Sequence, residues 1–360
     1  MTIVLLILGG VWIALNIFFL PFYPWTEGLH RPWLILNGLV PYRDFIWIRT
    51  PLDIFLLSLV YKIVGVSEFA YQAVIFVLHL FIGLLLFFGL RTKSLRLAIT
   101  SYIFYTLLLF PLFINTEIGE ILVSFFVLAT FFLLLKHTER NKMFWLFLAG
   151  ITHSLAVLTK QTSFFSVIAV LLWYAVRCSK QSMHCAFKDF LCGVGIYGSG
   201  LLLPIAVFWR YLMRTDAFGD FIHFTISFNL FVYSSWSKPW GIVGGSRMIG
   251  IFLSILLFHF TTTSRVVLNQ SGRLLLYVLI SGLFPALFPS FWSYRLITAF
   301  PLISILGGEM ILSVRRIIGG KKQWSVPKII VVGFCSVLFL FGLWNFVKEY
   351  GIFVKDNGLG

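Results

Sequence analysis

The sequence predicts an all-α polytopic membrane protein of about eleven transmembrane helices, with a first outer loop that carries short interfacial helices. Three observations lead there. The chain has 360 residues, 59% of them hydrophobic and 11% charged, where a soluble domain carries about 25% charged residues. Its apolar residues come in runs of roughly 15–22, long enough to cross a bilayer as helices. Its basic residues gather in alternate intervals between those runs, as the positive-inside rule requires of cytoplasmic loops.

A first span is expected near 3–21. It is apolar like a signal sequence, but no basic region precedes it. Aromatic, proline-rich sequence follows in place of a small-residue cleavage site, so it reads as a retained span. The first outer loop covers 22–68. Within it, residues 52–64 (LDIFLLSLVYKIV) form an apolar helix too short to cross comfortably, expected at the outer interface. Spans follow near 69–90, 97–114, 118–135, 143–159, 163–177, 190–212, 247–260, 274–289, 296–312 and 329–347. This order leaves the N-terminus cytoplasmic and the tail 348–360 outside. The second large outer loop, 213–246, is rich in aromatic residues and reads as an interfacial, partly helical lid. No internal repeat is evident, and residues 1–360 read as a single membrane domain.

The net charge of +15 invites a nucleic-acid partner, but the placement of the charges excludes one. Sixteen of the 28 basic residues fall on one side: Arg91, Lys93, Arg96, Lys136, Arg140, Lys142, Arg177, Lys180, Lys188, Arg265, Arg273, Arg315, Arg316, Lys321, Lys322 and Lys328. Glu139 and Asp189 are the acids beside them. That side is cytoplasmic, the membrane being the plasma or inner membrane, and the basicity is a topology signal with some attraction to anionic lipid. Cys178, Cys185, Cys192 and Cys335 lie in or beside cytoplasmic loops and apolar spans, where disulfides are not expected. His184 beside Cys185 lacks the second spaced pair that structural zinc needs. The run GVGIYG, Gly193 to Gly198, matches a dinucleotide fingerprint in form only. It lies inside an apolar span, where small residues let helices approach.

Chemistry is expected in the first outer loop. Residues 22–51, FYPWTEGLHRPWLILNGLVPYRDFIWIRTP, set Glu27, Arg31, Arg43, Asp44 and Arg49 among Trp25, Trp33, Tyr42 and Trp47. Ionisable groups at a membrane boundary are costly unless solvated, paired or in use. The acidic residues on the outer side are Glu27, Asp44, Asp53, Glu68, Glu117, Glu120, Asp216 and Asp220. Basic residues on that side run against the positive-inside bias, so each asks for a reason. Lys160, in AVLTKQTSF, is expected at the outer hinge between two spans with Gln161, Thr162 and Ser163 as further donors. Arg295, in FWSYRLITAFP, is expected at the outer start of a later span. A lysine offers a compact charge and an arginine a fork, and both suit phosphate oxygens. Position fits a structural ion pair equally well. His79 and His153 read as packing or hydrogen-bonding residues within spans.

The segment NGLVPYRDFIWIRTPL, with the acidic residue upstream and the short apolar helix downstream, resembles the N-terminal signature of the C-type (GT-C) membrane glycosyltransferases. It is most similar to the branch containing protein O-mannosyltransferases and lipid A aminoarabinose transferases. The LTKQT run at 158–162 and the YR…P run at 294–301 resemble further elements of that family. The resemblance implies an enzyme that moves a sugar from a polyprenyl-phosphate donor to a protein, lipid or glycan acceptor at the outer face, with inversion. It implies Arg49 on the carrier phosphate, assisted by Lys160 and Arg295, with Arg43 nearby. No cofactor is required by the resemblance, and a divalent metal is left open.

In the family an Asp commonly precedes the Glu of the first outer loop and serves as base. Here Thr26 stands in that place and Glu27 follows. Three readings stay open: Glu27 is the base, Asp44 is the base, or the chain is a non-catalytic scaffold that keeps the fold. A transporter or flippase of a lipid-linked or anionic solute is the alternative from another class; it would need charged or broken helices near the bilayer midplane.

Overall fold

A computed structural model of the chain describes residues 2–19, 26–109, 117–179, 183–233, 270–283 and 297–319. These residues are helical between short turns, with an isolated bridge between Pro41 and Phe45 as their sole β feature. The helices are α1 (Thr2–Phe19), α2 (Thr26–Leu36), α3 (Leu52–Val64), α4 (Glu68–Arg91), α5 (Leu95–Leu109), α6 (Ile118–Arg140), α7 (Met143–Thr159), α8 (Phe164–Cys178), α9 (Met183–Arg214), α10 (Phe218–Ile222), α11 (Gln270–Leu283) and α12 (Phe300–Gly319).

Four helices among the described residues are long and apolar enough to cross a bilayer: Glu68–Arg91, Ile118–Arg140, Gln161–Cys178 and Phe187–Arg214. The helix expected over 52–64 is α3, with those boundaries, and α2 is a second short helix in the segment 22–68. Part of the expected second lid is also helical, continuing from α10 into two π-helical turns, His223–Ser227 and Asn229–Tyr233. The spans expected near 247–260 and 329–347, and the tail 348–360, lie outside the described residues.

Local chemistry sets the ends. Ser67 accepts from the Ala70 amide at 3.1 Å and starts α4, satisfying a donor that the helix itself leaves open. Asn141 ends α6 in the left-handed conformation, φ 48, its amide donating to the His137 carbonyl at 2.8 Å. Helix α7 packs between α6 and α9, α5 between α4 and α12, and α8 against α11, while α2 lies on α3.

The α7–α9 contact depends on two glycines that face each other's backbone. A side chain on Gly150 would run into the Tyr197 carbonyl, and one on Gly200 into the Phe147 carbonyl. In GVGIYG, by contrast, Gly193 abuts Tyr174 whereas Gly195 and Gly198 face open space. The run lies within the 32-residue helix α9, not between a strand and a helix. Helix approach therefore falls to Gly193 and, just beyond the run, Gly200.

Buried polar groups inside the helices find one another. His79 Nδ1 lies 2.8 Å from the Tyr105 hydroxyl. His153 sits between the Tyr197 hydroxyl and Ser166 Oγ, each at 2.5 Å. Both histidines are hydrogen-bonding residues of the interior.

Candidate active site at the start of helix α6

The signature PYRDF folds as a tight turn. The Tyr42 amide donates to the Phe45 carbonyl at 3.0 Å and the Asp44 amide to the Val40 carbonyl at 2.9 Å. Asp44 closes the turn by accepting from the Val40 amide at 2.8 Å and from Arg43 Nε and Nη2 at 2.9 Å each. These bonds hold its carboxyl well below the usual range, at about 2, with Arg43 the larger cause and the Val40 amide the next. Arg43 also donates to the Thr215 carbonyl at 3.1 Å, so this pair ties the PYRDF turn to the segment that follows α9. Both side chains remain open to solvent.

Arg49 leaves the turn in the other direction. It pairs with Glu117 and lies over the Trp47 ring, 5.6 Å from its centre. Lys160 is where its sequence places it, at the hinge between α7 and α8. Its backbone is extended (φ −153, ψ 121), and a single 3-10 turn, Gln161–Ser163, follows before α8 begins. Lys160 pairs with Glu120. Glu117 occupies the N-cap position of α6, without a side-chain capping bond, and Glu120 lies in its first turn, so residues three apart share one face. Two cations 111 positions apart in the sequence thus meet a single turn of one helix.

A third carboxylate joins them. Asp53, 4% exposed in the first turn of α3, lies against Gly119, where even a methyl group would come within 3.1 Å of its Oδ2. Burial pushes its pKa up to about 7, opposed by Arg49, by its bond from the Ile54 amide and by Lys160. Three acids gather here because a helix N-terminus presents free amides and a positive dipole end, and because two cations are present to meet them. One Glu117 oxygen and one Glu120 oxygen are buried without a hydrogen-bond partner, as are Gln161 Oε1, Thr162 Oγ1 and Ser163 Oγ.

Glu27 is the second residue of α2, and its side chain lies outside the described residues. The backbone beside it is placed: a side chain at Gly28 would meet the Tyr71 ring at 2.5 Å, and the Gly28 carbonyl accepts from the Tyr61 hydroxyl at 3.2 Å. Tyr71 in turn hydrogen-bonds the Ile118 backbone, next to Glu117. One tyrosine therefore spans from the start of α2 to the start of α6. Arg295 lies outside the described residues. Glu117, Glu120 and Asp53 appear in the sequence only among the outer acids. The signal that distinguishes the first two is the E-x-x-E spacing at a helix start, on the side that also holds the two exceptional cations. Among the described residues, no three His, Cys, Asp or Glu side chains are grouped to hold a metal.

An apolar cavity of about 440 Å³ lies between α3, α7 and α9. Its walls include Pro51 and Leu52, just after Arg49, and Leu155 and Leu158, just before Lys160. Leu203, Pro204 and Val207 close it from α9.

The described helices pack as an apolar bundle with charge gathered at the start of α6, beside the loop folded on PYRDF. Residues 49–213 match the family model described as dolichyl-phosphate-mannose-protein mannosyltransferase. Archaeal oligosaccharyltransferase AglB from Archaeoglobus fulgidus, solved with an inhibitory peptide and a dolichol-phosphate, shares the fold. The TM-score is 0.52 at 13% identity, over 97% of this chain and 55% of that one. The Archaeoglobus fulgidus oligosaccharyltransferase tethered to an acceptor peptide containing the NVT sequon gives 0.52 at 14% identity, over 97% and 54%. The chain thus spans about half the length of the solved chains it matches. No curated protein matches it. Residues 49–213 thus resemble that mannosyltransferase family, and the chain shares the fold of the two solved oligosaccharyltransferases.

Proposed function

We propose that the protein transfers a sugar from a polyprenyl-phosphate donor to an acceptor at the outer face of the membrane, in one displacement that inverts the anomeric centre. The observation that carries this reading is the convergence of Arg49 and Lys160 on one turn of α6, beside an apolar cavity whose walls continue from both residues. A lipid phosphate has that form: a charged head and a long apolar tail. The cavity volume is within the range of ligand pockets, about 300–1,000 Å³. A relative in fold was solved with dolichol-phosphate, a ligand of the same class.

In the proposed reaction the acceptor hydroxyl gives its proton to Glu27 as its oxygen attacks the anomeric carbon. The bond from that carbon to the phosphate oxygen breaks, and the phosphate leaves with the electron pair. Arg49 and Lys160, with Arg295, stabilise the charge that develops on it. A positioned carboxylate contributes about 10²–10⁴-fold as general base. Asp44, low in proton affinity and engaged by Arg43, serves in this reading to hold the turn, and Arg43 to join the two outer loops. A protein acceptor fits the family whose model matches. The finer topology belongs to the same proposal: one domain of eleven spans, N-terminus cytoplasmic, both large loops outside.

The test is transfer by the purified protein in liposomes, supplied with polyprenyl-phosphate sugars and acceptor peptides. The expected result is glycosylated or hydrolysed product of inverted configuration, reduced at least about 100-fold in Glu27→Gln and far less in Asp44→Asn. Full activity in both variants would refute the site. Uptake of the labelled donor without covalent transfer would favour a transporter instead.

A further inference from the structure

We propose that Asn229, in the second outer loop, is a positioning residue for Arg49. It holds the backbone that carries Arg49 and so couples the second loop to that cation. The inference rests on the reading of Arg49 as a ligand of the donor phosphate.

Residues 46–50 form neither helix nor strand, so their carbonyls need donors from elsewhere. Side chains supply them at three consecutive positions. The Ile48 carbonyl accepts from Asn229 Nδ2 at 2.7 Å and from Gln161 Nε2 at 3.1 Å. The Arg49 carbonyl accepts from the Tyr42 hydroxyl at 2.6 Å. The Thr50 carbonyl accepts from Trp47 Nε1 at 3.4 Å, while Thr50 Oγ1 donates to the Val157 carbonyl at 2.8 Å. Ile48 is thereby the junction of three segments: the first outer loop, the hinge that carries Lys160, and the second outer loop.

The second loop is shaped for this contact. Asn229 Nδ2 also reaches the carbonyls of Phe224 at 3.1 Å and Thr225 at 2.9 Å, within the preceding π-helical turn. Wide turns of this kind are rare and recur at functional sites. Here one amide closes the turn and reaches 181 positions back along the chain. The two loops also meet where the Tyr42 ring packs edge-on against Phe221, 5.1 Å between centres.

Tyr42 itself adopts φ 74, a left-handed conformation unfavourable for an aromatic residue. Such a conformation persists only where the surroundings over-determine it. The hydroxyl on Arg49 and the ring on Phe221 supply that constraint. A network that holds a strained turn and caps three carbonyls in succession keeps the guanidinium of Arg49 in one place. Misplacement of a charged group by about 1 Å costs as much as 10²-fold in rate.

The experiment uses the full chain in nanodiscs. Asn229→Ala is expected to lower kcat/KM for the polyprenyl-phosphate sugar about tenfold with the melting temperature near wild type, the loss equivalent to one hydrogen bond's contribution to positioning. Asn229→Asp, of the same shape but lacking the amide donor, is expected to do the same. In an Arg49→Ala background the Asn229 substitution is expected to change the rate less than about twofold, because the group it positions is gone. Backbone hydrogen exchange over 46–52 is expected to quicken about tenfold in Asn229→Ala whether or not the protein transfers sugar. If wild type transfers nothing, the reading of the reaction fails and exchange decides the positioning by itself. Equal losses in both Arg49 backgrounds, unchanged exchange, or a lowered melting temperature with unchanged kinetics would each overturn the proposal.

Discussion

Arg49 and Lys160 are held by acids, so a lipid phosphate reaches them only by exchanging partners with Glu117 and Glu120. Counting full charges, the two cations balance the two glutamates, and Asp53 adds a partial negative charge near neutral pH. A bound phosphate would therefore relieve an excess of cation only once a glutamate has been displaced or removed. Glu120→Gln deprives a buried lysine of its carboxylate, a change that costs about 3–5 kcal/mol when one partner of a buried pair is lost. The expected outcome is a lower melting temperature for Glu120→Gln, and a larger rise on adding polyprenyl phosphate than wild type shows. An equal rise in both would place the phosphate elsewhere.

Asp53 provides a second residue-scale test. In the folded chain it keeps its proton to about pH 7, whereas an unfolded aspartate loses it near pH 4, by about 3.9. The folded state therefore binds the extra proton between those values, and stability falls as pH rises across that window, then levels off above it. Melting temperatures at pH 5 and pH 8 should differ more for wild type than for Asp53→Asn. The sequence makes Arg49 and Lys160 legible because, on the expected topology, cations on the outer side defy the charge bias. It leaves their partners unassigned, because pairing across 68 and 40 positions has no local pattern. The rank of Asp53 is equally hidden, since its burial depends on Gly119 of another helix.

At the scale of elements, α7 and α9 approach closely only because Gly150 and Gly200 leave room. Gly150→Leu or Gly200→Leu should separate the helices, at a cost of about 1–3 kcal/mol or more for an overfilled contact, read as a lower melting temperature or poor folding. Gly195→Ala, in open space on the same helix, should be neutral or stabilise by up to about 1 kcal/mol, since alanine is the better helix former. If Gly195→Ala proves as damaging as Gly200→Leu, the helix face is misassigned. Apolar runs reveal α3, α4 and α7 almost to the residue and the start of α6, whose last turns are charged and run beyond the apolar stretch, because a bilayer demands length and hydropathy and little else. Helix α2 is less legible: Pro32 lies inside it and charged residues sit on its first turns. The π-helical turns after α10 have no sequence period to announce them, and they are where Asn229 lies.

At the scale of the molecule, the positive-inside pattern and the cluster at α6 must agree about sidedness. On the proposed topology the cytoplasmic loops carry the basic residues, and the α6 start lies at the opposite end of its helix from Lys136 and Arg140. With the four native cysteines replaced, Ser179→Cys should react with an impermeant thiol reagent only from the cytoplasmic side, and Thr215→Cys only from outside. Reaction of Thr215→Cys from the cytoplasm would invert the topology and detach the site from an outer-face reaction. The resemblance to the GT-C enzymes rests on the PYRDF turn and the expected span order. The reaction depends on whether a lipid phosphate occupies the two cations.

Affinity for that phosphate is the most direct measurement. Polyprenyl phosphate, titrated into the purified protein in nanodiscs and followed by native mass spectrometry, should bind wild type and lose about 30–100-fold in affinity for Arg49→Ala and for Lys160→Ala. That loss corresponds to the removal of one charge-assisted contact of about 2–3 kcal/mol. Equal affinity in wild type and both variants would contradict the placement of the donor phosphate at the start of α6.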